Sequence, residues 1–498
     1  MHPALLIAEV FEVILEHCSD WRRGEYQRTL GQLARSCKAW KDPSLDRLWG
    51  RLESADPLWR LYENLGHVNT SVSDVHSYTA RIKHLTVFKG PSSPIENIFL
   101  PNLRSICLLR DACCAPVSFT TTQTLRELQV DLGPIIRTQA AESRGRCLVA
   151  TLTRLESTGS RLEKLRIRGW IPPILSSALS SLRSLHSLTL STGNSLTAGT
   201  LASFASFPNL QHLSVHASSI DAEDFTAALP PNASFASMHT LQIRASRSLI
   251  CAILAIIPRD TLHYIHIEAE EFDQDPLAWK PTFDLLTSRA ADTLMDLTID
   301  QTLNPDEMES LEFLSLRSPR FTLETLRPLY ALTALQRFTL DVMILPDLTD
   351  KDIAQMASWW PHLQVLDLGT LSGGTAHNGR LVAPKITLAS LRSLAKRCRN
   401  LRTLVLPLDL TVNSYALEKK EEKIPAQTAL HTLLLGGLPP ADTDMSPFIR
   451  QILAIFPRLE EIECTSVDKS LYMDLSTSTG KDSMDIHAVM MDEFANGQ

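Results

Sequence analysis

HLQVLDLGT, residues 362–370, decides the architecture. Leu363, Leu366 and Leu368 stand in the pattern L-x-x-L-x-L, and the second half of the stretch alternates as a strand with one buried face does. One such strand cannot bury its apolar face alone, so a single copy would decide nothing. The spacing recurs at Ile82/Leu85/Val87, Leu103/Ile106/Leu108, Leu125/Leu128/Val130, Leu162/Leu165/Ile167, Leu185/Leu188/Leu190 and Leu210/Leu213/Val215. It continues at Met238/Leu241/Ile243, Leu262/Ile265/Ile267, Leu294/Leu297/Ile299, Leu335/Phe338/Leu340, Leu401/Leu404/Leu406, Leu430/Leu433/Leu435 and Leu459/Ile462/Cys464.

First positions are mostly 21 to 29 residues apart, with longer steps after 125, 262, 294 and 363. Leucine-rich repeats have periods of about 20–29 residues. Segments of helical periodicity alternate with the strands, among them 178–186, 197–208, 321–332 and 387–398. The expected fold class is α/β: a leucine-rich-repeat solenoid over 81–467, with parallel strands on the concave face and helices outside. Leu311/Leu314/Leu316 also fits, which leaves 294–335 open between one repeat with an insertion and two. The fuller signature with a regular Asn is not kept, so no Asn ladder is expected. Three stretches break the period: 271–283, with Trp279 between two prolines; the Gly-rich 371–385; and the charged 414–427.

With 498 residues, the chain exceeds one ordinary globular core, so a repeat array or several domains are expected. A hydrophobic content of 44% with 21% charged residues describes a folded chain. Net charge −8 argues against a general binder of nucleic acid or of anionic membranes. No apolar run reaches the roughly 18 residues of a membrane span, and nothing at the N-terminus reads as a signal peptide. The nine cysteines are odd in number and scattered, which points to reduced thiols in the cytoplasm or nucleus. Cys113 and Cys114 are adjacent, but no C-x-x-C or His pair completes a metal site there.

Ahead of the repeats, Ile7, Val10, Phe11, Ile14 and Leu15 form an apolar stripe on one helix. WRRGEYQRT, 21–29, reads as a loop. A second helix carries Leu30, Leu33, Ala34, Cys37 and Trp40, Asp42-Pro43-Ser44 breaks it, and a third carries Leu45, Leu48, Trp49 and Leu52. A further helix follows Pro57. The polar stretch 69–80 reads as linker, and the chain from 468 as a disordered tail. The domains expected are therefore 1–65, a linker at 66–80, the solenoid at 81–467 and a tail at 468–498.

LARSCKAWKDPSLDRLW, 33–49, resembles the second half of an F-box, and IAEVFEVILEHC, 7–18, resembles its first half. HPALLIAEVFEVIL as a whole is similar to the start of F-box proteins with C-terminal leucine-rich repeats from mushroom-forming fungi. One departure stands out: Ala8 occupies a place where the family usually has Pro. The resemblance implies a docking surface for the adaptor of a cullin–RING ubiquitin ligase, at Ile7, Val10, Ile14, Leu33, Cys37, Trp40, Leu45 and Trp49. It also implies that the repeats hold a target protein, making the chain a substrate receptor rather than an enzyme. The other reading is a leucine-rich scaffold protein whose three helices cap the first repeat.

On the concave face the third, fifth and seventh positions of each repeat form a lining. Lys164, Arg166 and Arg168, then His212 and His216, then Arg244 make it basic; His266 stands at the change of sign, and Asp296, Asp300, Asp341 and Asp367 make it acidic. Val405, Pro407, Leu434 and Gly436 give a neutral end. These are the candidate target-binding positions. No nucleophile elbow, Walker loop, dinucleotide fingerprint or H-E-x-x-H is present, so no enzyme, cofactor or metal is expected. His263 and His266 point to opposite faces of their strand, while His212 and His216 share a face without an obvious third ligand.

Overall fold

The computed structural model describes residues 8–18, 21–63, 72–89, 98–109, 112, 119–120, 123–157, 159, 161–269, 276–301, 321–342, 345–369, 384–409, 426–436, 446–465 and 470–474. They divide into two compact units, Met1–Ser219 with Ala228–Ser237, and Ile220–Ala227 with Met238–Gln498.

The first unit begins with three helices, α1 (Ala8–His17), α2 (Arg23–Ser36) and α3 (Lys38–Gly50). The sheet then starts with β1 (Arg51–Leu52), followed by α4 (Asp56–Glu63), α5 (Val72–Thr79), β2 (His84–Val87), β3 (Ile98–Phe99), β4 (Ser105–Leu109) and β5 (Phe119–Thr120). The rest of the unit is β6 (Glu127–Asp131), α6 (Gln139–Ser157), β7 (Lys164–Arg168), α7 (Pro173–Leu179), β8 (Ser187–Ser191), α8 (Ala198–Phe204) and β9 (His212–His216). Strands β1, β2, β4, β6, β7, β8 and β9 pair side by side in that order, all parallel. β3 and β5 form a separate two-stranded ladder.

The second unit holds nearly all of α9 (Ala222–Ala228), then β10 (Thr240–Ala245), α10 (Arg247–Ile256), β11 (Tyr264–Ala269), α11 (Lys280–Ala290), β12 (Asp296–Gln301), α12 (Leu323–Leu326) and β13 (Arg337–Asp341). It closes with α13 (Asp350–Trp359), β14 (Val365–Asp367), α14 (Leu388–Arg397), β15 (Thr403–Pro407), β16 (Thr432–Gly436), α15 (Ser446–Ile455), β17 (Glu461–Thr465) and β18 (Ser470–Asp474). β10 to β17 pair in sequence order, all parallel, and β18 adds antiparallel to β17.

The leucine pattern is the cause of this order. Leu241, Ile265, Leu297, Phe338, Leu366, Leu404, Leu433 and Ile462 stand in one register row, and none is more than 2% exposed. Each such side chain contributes about 1.5–3 kcal/mol by leaving water. A slip of one residue would turn the whole row outward, so register is strongly specified. The strand entries repeat one backbone device: the N–H groups of Gln336 and Arg337 both donate to Met295 O, as those of Val365 and Gln364 do to Gln336 O. Neighbouring helices are also tied: Asp350 in α13 accepts from Thr387 N–H at 2.8 Å, from its hydroxyl at 2.7 Å and from the Ser390 hydroxyl at 2.5 Å. Both units are thus leucine-rich-repeat solenoid in type, α/β with parallel strands.

Several expectations fail in detail. The stretch read as a loop at 21–29 is helical from Arg23, because Tyr26, Leu30 and Leu33 extend one apolar face onto a common cluster. That burial outweighs the roughly 1 kcal/mol a helical Gly24 costs. The break between second and third helices falls at Cys37, extended at φ −156° and ψ 163°, and Pro43 lies inside α3. Continuing the helix through Pro43 lets Trp40 and Leu48 reach the same cluster. The linker stretch contains α5, which buries Val75 and Thr79. Residues 470–474, placed in the tail, form β18. β12 pairs directly with β13, so no further strand stands between them in the sheet. Leu311/Leu314/Leu316, Cys113, Cys114 and nearly all of 371–385 and 414–427 lie outside the described residues.

Candidate functional site

The N-terminal helices sort their apolar residues into two sets. Phe11, Leu15 and Leu30 are buried together, with Tyr26, Leu33, Trp40 and Leu48 packed around them. The Trp40 ring lies flat on Phe11, centroids 5.2 Å apart and planes 4° apart. The Tyr26 hydroxyl donates to Leu15 O at 3.2 Å, and Arg47 holds the Glu12 carboxylate at 2.7 Å. That hydrogen bond holds the Arg47 guanidinium above its ordinary pKa, against the pull of burial. Outside this cluster, α1 exposes Val10 at 37%, Val13 at 53% and Ile14 at 38%. They stand at i, i+3 and i+4, so they form one patch.

The eight positions expected to meet the adaptor therefore separate. Val10 and Ile14 are on the exposed patch. Leu33 and Trp40 are half-buried and pack against the internal cluster. Cys37 and Leu45 are half-buried. Trp49 packs on Tyr78 of α5, ring centroids 5.0 Å apart. Ile7 lies outside the described residues. Sequence reading missed Val13, which is off the main stripe but adjacent to Ile14.

On the open strand face of the first unit, Lys164, Arg166 and Arg168 are all exposed along β7. They are not alone. Glu127 and Asp131 on β6 stand in register with Lys164 and Arg168, and the Arg168 guanidinium lies 3.8 Å from the Asp131 carboxylate. Arg166 faces Gln129 and Thr189 instead. His212 and His216 on β9 are half-buried. Burial, helped by the charge of Arg166, pushes His212 below the usual histidine range. The signal for β6 was in the sequence, since Glu127 and Asp131 hold the third and seventh positions of their repeat.

In the second unit, Arg244 stands in register with Glu268, Glu268 with Asp300, and Asp300 with Asp341. His266 Nε2 is 2.5 Å from Asp300 Oδ2, and this hydrogen bond raises the histidine above its ordinary range. Asp296 pairs with Arg337 at 3.2 Å, but burial still pushes its carboxyl up. Burial also raises Asp341, with Asp300 adding to it, and raises Asp367, whose Oδ1 accepts from Gly369 N–H at 2.9 Å. The neutral end is less open than expected: Val405 is 7% exposed, and Pro407 and Gly436 are buried. One grouping was not foreseen. A ligand atom from each of His266, Glu268 and Asp300 lies within 4.8 Å of the others. Their positions, fifth and seventh of one repeat and seventh of the next, made the grouping legible.

No described helix is long and apolar enough to cross a membrane. No family model matches the chain, and none of the curated proteins does. Among solved structures, the crystal structure of the Rad7 and Elc1 complex in yeast contains a chain similar to this one at 14% identity. The match covers 87% of this chain and 97% of that one, with a TM-score of 0.39.

Proposed function

We propose that this chain is the substrate-receptor subunit of a cullin–RING ubiquitin ligase, its N-terminal helices docking on the adaptor and its repeats holding a target protein. The observation that carries the reading is the patch of Val10, Val13 and Ile14, apolar, exposed and backed by a packed cluster. A helix that keeps one apolar face for its own core and offers a second to solvent is built for a partner. The F-box-like sequence at 33–49 names the partner class, the small ligase adaptor. Catalysis belongs to other subunits; this chain contributes proximity, which replaces a chance encounter with a held geometry. The strand faces supply the target contacts: Lys164, Arg166 and Arg168 for an acidic or phosphorylated segment, and Asp296, Asp300 and Asp341 for a basic one.

A second reading also has an observation behind it. Arg81, which leads into β2, binds the carboxylates of Asp42 and Asp46 in α3, and Trp49 packs on Tyr78. Such ties are what a helical cap on the first repeat requires. The experiment is binding of the purified full-length chain to a recombinant cullin adaptor, with Ile14→Asp as the variant. Ile14 is partly exposed, so the variant keeps its fold. In the complex the new carboxylate is buried without a partner, which costs about 3–5 kcal/mol, or at least a hundredfold in affinity. Binding by wild type and its loss in the variant is the expected result. No adaptor binding by wild type would overturn the ligase reading and leave the cap.

A further inference from the structure

We propose that His266, Glu268 and Asp300 form a binding site for a divalent cation of the zinc class on the open face of the second unit. The backbone brings the donors together. His266 and Glu268 are two residues apart on β11 and so share a face, and Asp300 stands directly opposite Glu268 on the parallel neighbour β12. Adjacent strands are about 4.8 Å apart, so a carboxylate from each reaches one point above the ladder. All three side chains are half-buried.

The distances suit an ion. Zinc takes imidazole nitrogen at about 2.0–2.1 Å and carboxylate oxygen at about 2.0–2.2 Å, which puts neighbouring tetrahedral ligands roughly 3.3 Å from one another. The three atoms already lie within 4.8 Å, with His266 Nε2 and Asp300 Oδ2 at 2.5 Å, so small side-chain rotations suffice. The histidine decides the class of metal. Calcium takes six to eight oxygen ligands, and magnesium a near-octahedral oxygen shell; one imidazole with two carboxylates suits zinc and its transition-metal neighbours. The local surroundings favour a cation. Asp341 stands opposite Asp300 on β13 and adds a further carboxyl to the same face. Arg244 stands in register with Glu268 and adds positive charge on the same face, so the site is expected to release its ion more readily than a closed one.

Three protein donors leave a tetrahedral ion one open position. On a strand face that holds a target, the position is available to a carboxylate or imidazole of the bound chain. The ion thereby turns an acidic face into one that accepts an acidic or histidine-bearing segment. The site itself does not depend on the ligase reading, because ion binding is measured on this chain alone.

The test uses the full-length chain, stripped with chelator and dialysed. Zinc chloride is titrated in by calorimetry with magnesium as the control, and cobalt(II) is followed by its visible spectrum. One zinc per chain should bind at this site, with no matching magnesium signal, and the cobalt bands should lack thiolate charge transfer. His266→Gln and Asp300→Asn should each weaken the site at least about tenfold, the lower limit for disturbing even an indirect partner of a metal ligand. Zinc should also protect His266 of the wild-type chain from acylation by diethyl pyrocarbonate, read by mass spectrometry; this arm stands even where a variant misfolds. Absence of stoichiometric zinc binding, equal affinity in both variants, or unprotected His266 in zinc would overturn the proposal.

Discussion

Replacing Gly145 by Ala should destabilise the first unit, although the change improves a helix. Gly145 lies inside α6 and is buried. A Cβ there would stand 2.2 Å from Pro172 Cγ and 2.6 Å from Pro172 Cδ. Ordinary contact begins near 3.4 Å, so one wall must move by about an ångström. Neither moves readily. Pro172 precedes α7, and the chain before it is held by Trp170 N–H to Pro134 O at 3.1 Å and Ile171 N–H to the Ser195 hydroxyl at 2.9 Å. Overpacking of this kind costs about 1–3 kcal/mol, and the double overlap with a ring places it at the upper end. Ala returns roughly 1 kcal/mol of helix propensity, for a net loss near 2 kcal/mol. Gly31 in α2 is the control, because nothing lies within 4 Å of its Cβ position. There the same substitution should stabilise by about 1 kcal/mol. Native-state hydrogen exchange reads both: amides of α6 should lose roughly thirtyfold in protection in Gly145→Ala, and those of α2 should gain several-fold in Gly31→Ala. Equal or greater protection of α6 in Gly145→Ala would refute the close approach of helix and loop.

Two shorter predictions concern titration and thiols. His84, beside Arg51, and His212, beside Arg166, are both held below the ordinary histidine range, in each case first by burial. The unfolded chain therefore takes up protons that the folded one refuses, so this stability is fully present above the unfolded value of about pH 6.5 and is lost as pH falls below it through the lower folded values; exchange protection of the first unit should drop as pH is lowered from about 7 to 5, and a His212→Gln chain with the same slope as wild type would refute His212's part in it. Burial pushes the Cys398 and Cys464 thiols up to about 12. Since the thiolate is the nucleophile, iodoacetamide at pH 8 should leave both unlabelled on the native chain while half-exposed Cys18 and Cys37 react; labelling of Cys398 as fast as Cys37, read by mass spectrometry, would show that the repeats open.

The strands were legible because a two-residue period and burial say the same thing. Leu363, Leu366 and Leu368 could be placed from the sequence, and the register then aligned Leu366 with Phe338 and Leu404. The helices ahead of the repeats were less legible because tertiary packing overrode local signals. Pro43 is a breaker by its chemistry, yet the burial of Trp40 and Leu48 keeps α3 intact around it. Gly24 and the polar residues of 21–29 hid a helix whose apolar face only Tyr26 and Leu30 reveal. Nor could periodicity divide Val10 and Ile14 from Phe11 and Leu15. All four fall on one stripe, and the division depends on where α2 and α3 pack. On the strand faces the reason is different. Alternation places these side chains on one strand face, but the charge each meets comes from the neighbouring strand, as Glu127 and Asp131 of β6 do for Lys164 and Arg168 of β7.

Counting across strands changes what the charged faces can do. Arg168 has Asp131 and Asp296 has Arg337, and partly exposed pairs of this kind are worth about 0–1 kcal/mol. A ligand that displaces either gains only the difference. Lys164 and Arg166 have no ion-pair partner among the described residues, so a carboxylate that meets either of them displaces no existing pair. In the second unit the balance lies with the acids. Asp341 and Asp367 are both disfavoured as anions by burial, and both feel further repulsion from Asp300. A cation arriving there relieves a cost that the fold already carries, whether it comes on a basic segment or as an ion at His266. Sign alone would have ranked β7 and β12 as equal and opposite. Partnering ranks the acidic strands of the second unit as the more demanding surface, and a ligand that engages them must bring positive charge with it.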